Sequence, residues 1–305
     1  WVLTVYYSWR IFNQKIPKIK DCIIVGIFAA GGFLSKYLFI YLLIAIDILF
    51  IYLIFFKKEK KFHFNYLISA EVFLILLIPH IIWLFNNNFI TITYGLERSG
   101  VDSSTFLDHL IYPIVFILKQ VGILIPFFIM LYFLVKKIKF NYNLKDKKLL
   151  FLLAINILPI LLILFTSMIM GSKIRTMWMT PFYLFFGTLL VYVFQKHIVK
   201  HNYKSFIISF IILFLLSPIT YAYISITETN KRTDYPGKQI AEKVQIRWNN
   251  EFKEPINIVL GNEWNAGNLS YHLKTRPVWG GAVDQNKLDT YKVYICIDNI
   301  CLGNK

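Results

Sequence analysis

The sequence has few charged residues and few cysteines. Asp, Glu, Lys and Arg make up 16% of its 305 residues, whereas about 25% is typical of a soluble domain. Hydrophobic residues make up 57%, and 28 residues are Phe, which is more apolar surface than a soluble core of this length buries. A soluble globular enzyme and a disordered protein are therefore excluded. Three cysteines also exclude a disulfide scaffold.

Acidic residues are scarcer than basic ones. The chain has 33 Lys and Arg against 17 Asp and Glu, a formal net charge of +16. In a soluble protein this balance suggests nucleic acid as a partner. Here the basic residues stand in short clusters between apolar runs, which is how membrane proteins encode their orientation. We expect membrane lipids as partners, and no nucleic acid.

Long apolar runs predict an α-helical polytopic membrane protein with about seven spans. A spanning helix takes about 20 mostly apolar residues. The candidate segments are 22–34, 37–56, 66–84, 110–135, 149–170, 177–194 and 206–224. The first is short, so we expect it to be tilted, re-entrant or extended past residue 34. Residues 1–12 resemble the tail of a further span, and we expect an N-terminal part to be missing.

The basic clusters predict the sides of the membrane. Seventeen of the 33 basic residues fall at Arg10 and in 15–20, 57–61, 136–148 and 196–204, against two acids, Glu59 and Asp146. By the positive-inside rule these four loops are cytoplasmic. The loops 85–108 and 171–177, and the tail after residue 227, are then expected on the outside.

The composition changes after residue 226, which predicts two domains. Residues 1–226 form a transmembrane helical domain, and 227–305 form a small extracytoplasmic α/β domain with nearly balanced charge. Apolar residues four apart predict an amphipathic helix over 238–252 with Trp248 on its buried stripe. The β-branched runs 256–260 and 293–297 predict strands. We expect this domain to dock on the outer face.

Several ionisable residues lie within the apolar runs. These residues are Asp47, Glu71, His80 and Lys119, and such residues are functional candidates by default. Structural pairing is the favoured interpretation for each of them, and Asp47 and Lys119 are able to pair across helices. His80 lies beside Pro79 near the outer end of its span, where water is expected to reach it. The small residues 26–32 favour close helix packing.

Three cations lie at the predicted outer interface: Lys36, Lys173 and Arg175. They either snorkel to the lipid surface or contact a lipid phosphate. Acidic residues of the outer loop, Glu97, Asp102 and Asp108, together with Arg98, fit no known acid and base spacing, so we expect a solvated loop there.

The remaining motifs exclude some chemistry and leave one pairing open. Cys296 and Cys301 either form a disulfide across an Asp-Asn turn or are small apolar residues on a strand edge. Their spacing is not a zinc pattern, and we predict no metal site. The sequence has no phosphate-binding loop, no Gly-x-Gly-x-x-Gly and no His-Glu-x-x-His, so nucleotide hydrolysis and zinc proteolysis have no support.

Five segments, taken in order, form a recognisable set. The segments are Gly31-Gly32-Phe33-Leu34-Ser35-Lys36-Tyr37, then Pro79-His80-Ile81-Ile82-Trp83 with the loop after it, then 116–126 with Gln120 and Pro126, then Arg175-Thr176-Met177-Trp178-Met179-Thr180-Pro181, and finally 235–277 with Trp248, Trp264 and Pro277. Together they resemble the family 39-type glycosyltransferases of the GT-C superfamily. The similarity extends to dolichyl-phosphate-mannose protein mannosyltransferases and lipid A aminoarabinose transferases, and it covers nearly all of the chain.

The resemblance implies inverting transfer of a sugar from a polyprenyl-phosphate carrier to a lipid, glycan or protein acceptor. The reaction would take place on the outer face of a bacterial inner (plasma) membrane. It makes Lys36, Lys173 and Arg175 candidate donor phosphate ligands, and Glu97 and Arg98 acceptor or loop candidates. The resemblance places the catalytic carboxylate in a first outer loop, which we expect to lie in the missing N-terminal part, so the catalytic residue is unknown. The cofactor is also unknown, with a divalent cation left open.

Two other functions fit a chain with many spans. One is a carrier or flippase for a lipid-linked or polar solute, which the lack of paired broken spans and the outer C-terminal domain disfavour. The other is a non-catalytic assembly subunit, which would account for the missing carboxylate loop.

Overall fold

The structure is a computed structural model that describes residues 1–101, 104–135, 143, 145–228, 231–280, 293–297 and 300–304. For residues 232, 293–297 and 300–304 the description covers the backbone alone. The chain divides into two compact units, Trp1–Leu215 and Leu216–Lys305. The predicted boundary after residue 226 stays a prediction.

Helices dominate the first unit. Its α-helices in the described ranges are α1 Val2–Asn13, α2 Ile19–Ser35, α3 Ile40–Ile51, α4 Asn65–Asn86, α5 Ile90–Ser99, α6 Asp108–Leu134, α7 Lys147–Met170, α8 Phe186–Phe194 and α9 Tyr203–Thr227, the last of which continues into the second unit. The 3₁₀ segments Tyr37–Phe39 and Thr176–Tyr183 precede α3 and α8, and the π-helical turn Tyr52–Phe56 extends α3.

Five described helical segments are long and apolar enough to cross a membrane. They are Tyr37–Phe56, Asn65–Asn86, Asp108–Leu134, Lys147–Met170 and Lys200–Thr227, and the bent pair Thr176–Tyr183 and Phe186–His197 is a sixth if it counts as one span. The chain is thus a mostly helical, polytopic membrane protein. The first predicted span, 22–34, lies within α2, which has 17 residues, near the lower limit for a spanning helix, and is not among these segments.

Glycine lets α2 and α4 pack closely. A Cβ atom at Gly26 would lie 2.7 Å from the carbonyl oxygen of Ser69 and 2.7 Å from the side chain of Val72. The hydroxyl of Ser69 donates to the carbonyl of Cys22 across the same contact, at 3.0 Å. The predicted helix-packing role of the small-residue segment is therefore confirmed at Gly26.

Aromatic packing fixes the two 3₁₀ segments next to each other. The ring of Trp1 lies 4.7 Å from that of Phe39 and 4.9 Å from that of Phe182, centroid to centroid. Phe39 is fully buried between α1, α3 and α7, and Phe182 is buried with Met179 beneath α6 and α7. This packing positions the residues on either side of the candidate site.

After the end of α9, the described residues of the second unit contain two α-helices and four strands. They are α10 Gly237–Glu251, α11 Glu263–His272, β1 Ile258–Leu260, β2 Val278–Trp279, β3 Val293–Ile297 and β4 Ile300–Asn304. The sheet order is β2-β1-β4-β3, with β1 and β2 parallel and the other neighbours antiparallel. Trp248 is fully buried, as predicted from its stripe, and its indole N–H donates to the carbonyl of Glu254 at 2.6 Å.

The β3–β4 hairpin brings the two late cysteines opposite each other. Cys296 and Cys301 are direct partners in the antiparallel register. Their side chains, and residues 298–299 between the strands, lie outside the described residues. The disulfide therefore stays one of two predictions.

Candidate functional site

A cavity of about 540 Å³ lies where three segments of the first unit meet. The segments are the corner between α2 and α3, helix α5, and the end of α7 with the chain after it, and Leu84 of α4 adds a further wall residue. Its volume is within the range of about 300–1,000 Å³ that ligand pockets usually have. Most of the wall is apolar, and its polar members are Lys36, Tyr37, Tyr41, Thr91, Ser99, Thr166 and Ser172.

Lys36 lies at a tight corner of the backbone. Helix α2 ends at Ser35, and Lys36 is extended, with φ −162° and ψ 114°, before the 3₁₀ segment begins. The Lys36 backbone N–H donates to the carbonyls of Gly32 and Phe33. The chain then folds back over Gly32, where a Cβ atom would lie 2.4 Å from the ring of Phe39. The absence of a side chain at Gly32 therefore permits the corner.

The ammonium group of Lys36 is tied to the chain after α7. Its Nζ donates to the carbonyl oxygen of Trp178 at 2.9 Å, and both residues line the cavity. Burial lowers the pKa of Lys36 below its usual value of 10.5. A lysine ammonium has three N–H donors, so the bond to Trp178 leaves two for a ligand.

Tyr37 begins a polar chain beside Lys36. Its hydroxyl lies 2.7 Å from Nε2 of His80 and 2.8 Å from Oγ1 of Thr91. The indole of Trp83 stacks on His80, with centroids 5.8 Å apart and planes at 13°. These groups and Lys36 line a second, smaller cavity of about 430 Å³. His80 is therefore a hydrogen-bond partner of Tyr37, a role that the sequence analysis missed.

Lys173 and Arg175 lie beside the first cavity without lining it. The Lys173 backbone N–H donates to the carbonyl of Ser99 at 2.8 Å, which joins this segment to the end of α5. The side chain of Lys173 is exposed, and Arg175 is half-buried at the start of the 3₁₀ segment Thr176–Tyr183. Their neighbours Ser172 and Ile174 line the cavity. The structure thus brings one of the three predicted phosphate ligands, Lys36, into the cavity wall.

The outer segment predicted to be a solvated loop contains a helix. Helix α5 ends at Gly100, whose φ of 71° is left-handed and whose N–H donates to the carbonyls of Glu97 and Leu96. Such a glycine is a common helix stop signal, so the prediction of a loop was wrong for Ile90–Ser99. Arg98 donates to the hydroxyl of Tyr94, with Cζ 5.4 Å from that ring centroid, while Glu97 is exposed.

Asp102 and Asp108 are the other two acidic residues of this segment. Asp102 lies outside the described residues. Asp108 accepts hydrogen bonds from the N–H and the hydroxyl of Thr105, both at 2.7 Å. Asp108 therefore shapes the start of α6, and the cavity lining does not include it.

The N-terminal part of the chain matches a known family. Residues 1–83 match the model of the family described as dolichyl-phosphate-mannose-protein mannosyltransferase. This match supports a GT-C-type membrane glycosyltransferase. It includes the corner with Lys36 and Tyr37 and extends through His80 and Trp83, so it confirms the resemblance over the part of the chain that holds them. No curated protein and no solved structure matches the chain.

The ionisable residues within the apolar runs do not form the ion pair that the sequence suggests. Asp47 and Lys119 are exposed on α3 and α6, and no ion pair joins them among the described residues. Glu71 is also exposed, on α4. Each of these charged side chains lies alone on the exposed side of its helix, and nothing in the described part of the fold brings Asp47 next to Lys119. The predicted pairing of Asp47 with Lys119 was therefore wrong.

An ion pair with a buried carboxylate was missed by the sequence analysis. Arg10 lies 3.3 Å from Asp21, whose side chain is 3% exposed, and Gln14 donates to the same carboxylate at 2.6 Å. These contacts join the end of α1 to the start of α2. In the sequence Asp21 stood among lysines and gave no sign of burial. Across the described ranges, no three His, Cys, Asp or Glu side chains form a group able to hold a metal ion, and the cofactor stays unknown.

Proposed function

We propose that the chain transfers a sugar from a polyprenyl-phosphate donor whose phosphate binds at Lys36. The single observation that carries this proposal is a lysine ammonium on the wall of a largely apolar cavity of about 540 Å³, with one N–H used by the carbonyl of Trp178. The family match of residues 1–83 supports a glycosyltransferase in general. The donor, the acceptor and the side of the membrane are part of the proposal.

An apolar cavity with one cation suits a lipid phosphate. A polyprenyl chain is too apolar to leave the bilayer, and the walls offered by Phe33, Ile40 and Leu84 are apolar as well. A charge-assisted hydrogen bond from Lys36 would hold the anionic phosphate. The same bond would stabilise the negative charge that develops on the leaving phosphate.

The chemistry proposed is an inverting displacement. A hydroxyl of a lipid, glycan or protein acceptor attacks the anomeric carbon, the bond from that carbon to the phosphate oxygen breaks, and the polyprenyl phosphate leaves. A carboxylate takes the hydroxyl proton, and in the family it lies in an outer loop before the matched corner. Lys173 and Arg175 would hold the headgroup from the side, and Glu97 and Arg98 on α5 would face the acceptor.

The proposed setting is the outer face of a bacterial inner membrane, with residues 227–305 on the same side. The charge of the loops supports it, because the positive-inside rule assigns the lysine-rich loops to the cytoplasm. The cavity that Lys36 lines is at the other end of Tyr37–Phe56 from the lysines at 57–61. A donor bound there would be open to acceptors from outside.

The test is turnover of the full-length protein with a synthetic polyprenyl-phosphate sugar. Lys36→Ala should raise the donor KM about tenfold or more, because a hydrogen bond to a charged group contributes about 1.5–3 kcal/mol. Lys58→Ala, which removes an exposed lysine remote from the cavity, is the control and should leave KM unchanged. A normal donor KM in Lys36→Ala would place the phosphate elsewhere, and solute uptake without any sugar transfer would favour a carrier.

A further inference from the structure

A third cavity, of about 550 Å³, lies at the end of Tyr37–Phe56 that is remote from Lys36. The segment has 20 residues, which at about 1.5 Å per residue gives about 30 Å, the thickness of the bilayer core. Residues from the end of α1, from the chain after Tyr37–Phe56 and from the start of α7 line this cavity. It therefore lies at the headgroup level of the leaflet opposite to Lys36.

The lining of this cavity is strongly basic. It contains Lys15, Lys60, Lys61 and Lys147 against one carboxylate, Glu59. Glu59 forms an ion pair with Lys147, with 3.5 Å between Oε2 and Nζ. The other three lysines have no ion pair within the described ranges. Burial and the charge of Lys147 lower the pKa of Lys60 to about 8. An anion in the cavity would relieve this crowding of like charge.

Lys60 is held in place before any ligand arrives. Its Nζ donates to the carbonyls of Ile11 and Gln14, at 3.3 and 3.0 Å, at the C-terminal end of α1. It also lies 5.5 Å from the ring centroid of Phe12. The helix end and the two carbonyls partly offset the charge of Lys60. Two of its three N–H donors are used, and one is left to face a ligand.

Exposed apolar side chains border the basic lining. Ile16 and Phe62 both line the cavity and are 63% and 47% exposed. Phe64, which is 77% exposed, packs against Phe62 with ring centroids 5.7 Å apart. A water-soluble anion would leave these groups in water. A lipid would place its acyl chains against them and its phosphate among the lysines.

We propose that this cavity binds the headgroup of an anionic phospholipid. Lys60 is its fixed contact, Lys15, Lys61 and Lys147 surround the phosphate, and the acyl chains lie along Ile16 and Phe62. Basic pockets between membrane helices are a known setting for anionic headgroups. The lipid is distinct from the sugar donor, since it occupies the opposite leaflet. The proposal therefore stands whether or not the donor site at Lys36 is correct.

The test compares two triple variants with equal charge. Lys15→Gln with Lys61→Gln and Lys147→Gln removes three lysines of the lining, while Lys18→Gln with Lys58→Gln and Lys148→Gln removes three exposed lysines of the same loops that do not line it. Binding of phosphatidylglycerol and of phosphatidylcholine to the full-length protein in nanodiscs is measured by native mass spectrometry. We expect the first triple to bind phosphatidylglycerol at least about tenfold more weakly than the second.

Equal binding by the two triples would overturn the proposal, because the attraction would then be diffuse. Glycerol phosphate bound as tightly as phosphatidylglycerol would overturn the lipid assignment in favour of a soluble anion. A measurement on the unaltered protein covers the case that the first triple fails to fold. Phosphatidylglycerol should protect Lys15, Lys61 and Lys147 from acetylation and leave Lys18, Lys58 and Lys148 reactive. Equal protection of both sets would also overturn the proposal.

Discussion

The two ends of Tyr37–Phe56 handle positive charge in opposite ways. At one end a single lysine, Lys36, is half-buried in the wall of a cavity that is otherwise mostly apolar. At the other end four lysines, of which Lys60 is fixed by α1, line a cavity that also has exposed apolar groups at its edge. One end therefore suits a ligand that is mainly apolar with one charge. The other suits an anionic headgroup that stays at the surface.

The largest expected effect is in cysteine labelling, which tests the side of the membrane on which each end of Tyr37–Phe56 lies. A given cysteine is labelled either almost fully or hardly at all. We expect a cysteine at position 87, at the end of α4 near the Lys36 corner, to react with a membrane-impermeant reagent on intact cells. A cysteine at position 58, beside the lysine-rich end, should react only after the cells are broken, because lysine-rich loops are cytoplasmic. Cys22 is buried and is expected to stay unreactive, and the other two cysteines, Cys296 and Cys301, are replaced by serine in both variants. The reverse pattern would put the donor cavity in the cytoplasmic leaflet.

Gly32 gives the next largest effect, since it forms the Lys36 corner. A Cβ atom there would overlap the ring of Phe39, at 2.4 Å, and Phe39 is fully buried against Trp1. Gly32→Ala should lower the free energy of unfolding by about 1–3 kcal/mol, as overpacking does, and should lower turnover with it.

Gly31→Ala is the matched control for Gly32→Ala. It lies one residue earlier in the same helix, and a Cβ atom there would meet nothing within 4 Å. Its stability and turnover should equal those of the unchanged protein or exceed them slightly, since alanine favours the helix. Denaturation in detergent measures the stability of the two variants, and an activity assay measures their turnover. Equal losses in the two variants would mean that the backbone of α2, and not the fold over Gly32, matters.

Local composition predicts the helices of this chain, but it does not predict the contacts that are made at either end of Tyr37–Phe56. Long apolar runs predicted most spanning helices because composition decides them, and a four-residue stripe placed Trp248 in a core. The bond from Lys36 to Trp178 joins residues 142 positions apart, and no local pattern encodes such a distance. Helix α5 was missed because it is short and polar. The basic loop at 57–61 was interpreted as an orientation signal, which hides the fact that Lys60 caps α1.

At the Lys36 end, the donor KM is expected to change with pH by about a factor of ten. The phosphate needs the charged ammonium, so donor KM should be constant near neutral pH and rise as pH passes the pKa of Lys36, which burial sets below 10.5. In Lys36→Arg the guanidinium stays charged, and the alkaline rise should disappear. KM measured from pH 7 to 10 tests this. An identical rise in Lys36→Arg would assign the titration to another group.

Lys60→Gln is expected to give the smallest effect. It tests whether Lys60 stabilises the fold at the lysine-rich end independently of any ligand bound there. The substitution removes hydrogen bonds from the ammonium to the carbonyls of Ile11 and Gln14 and the favourable charge at the end of α1. The free energy of unfolding should fall by about 0.5–1.5 kcal/mol, while donor KM stays normal because the two ends are about 30 Å apart. Lys61→Gln, which removes a neighbouring lysine that makes no side-chain hydrogen bond among the described residues, should leave stability unchanged. A shift of donor KM in Lys60→Gln would show that the two ends are coupled through α3 and act as one site with two parts.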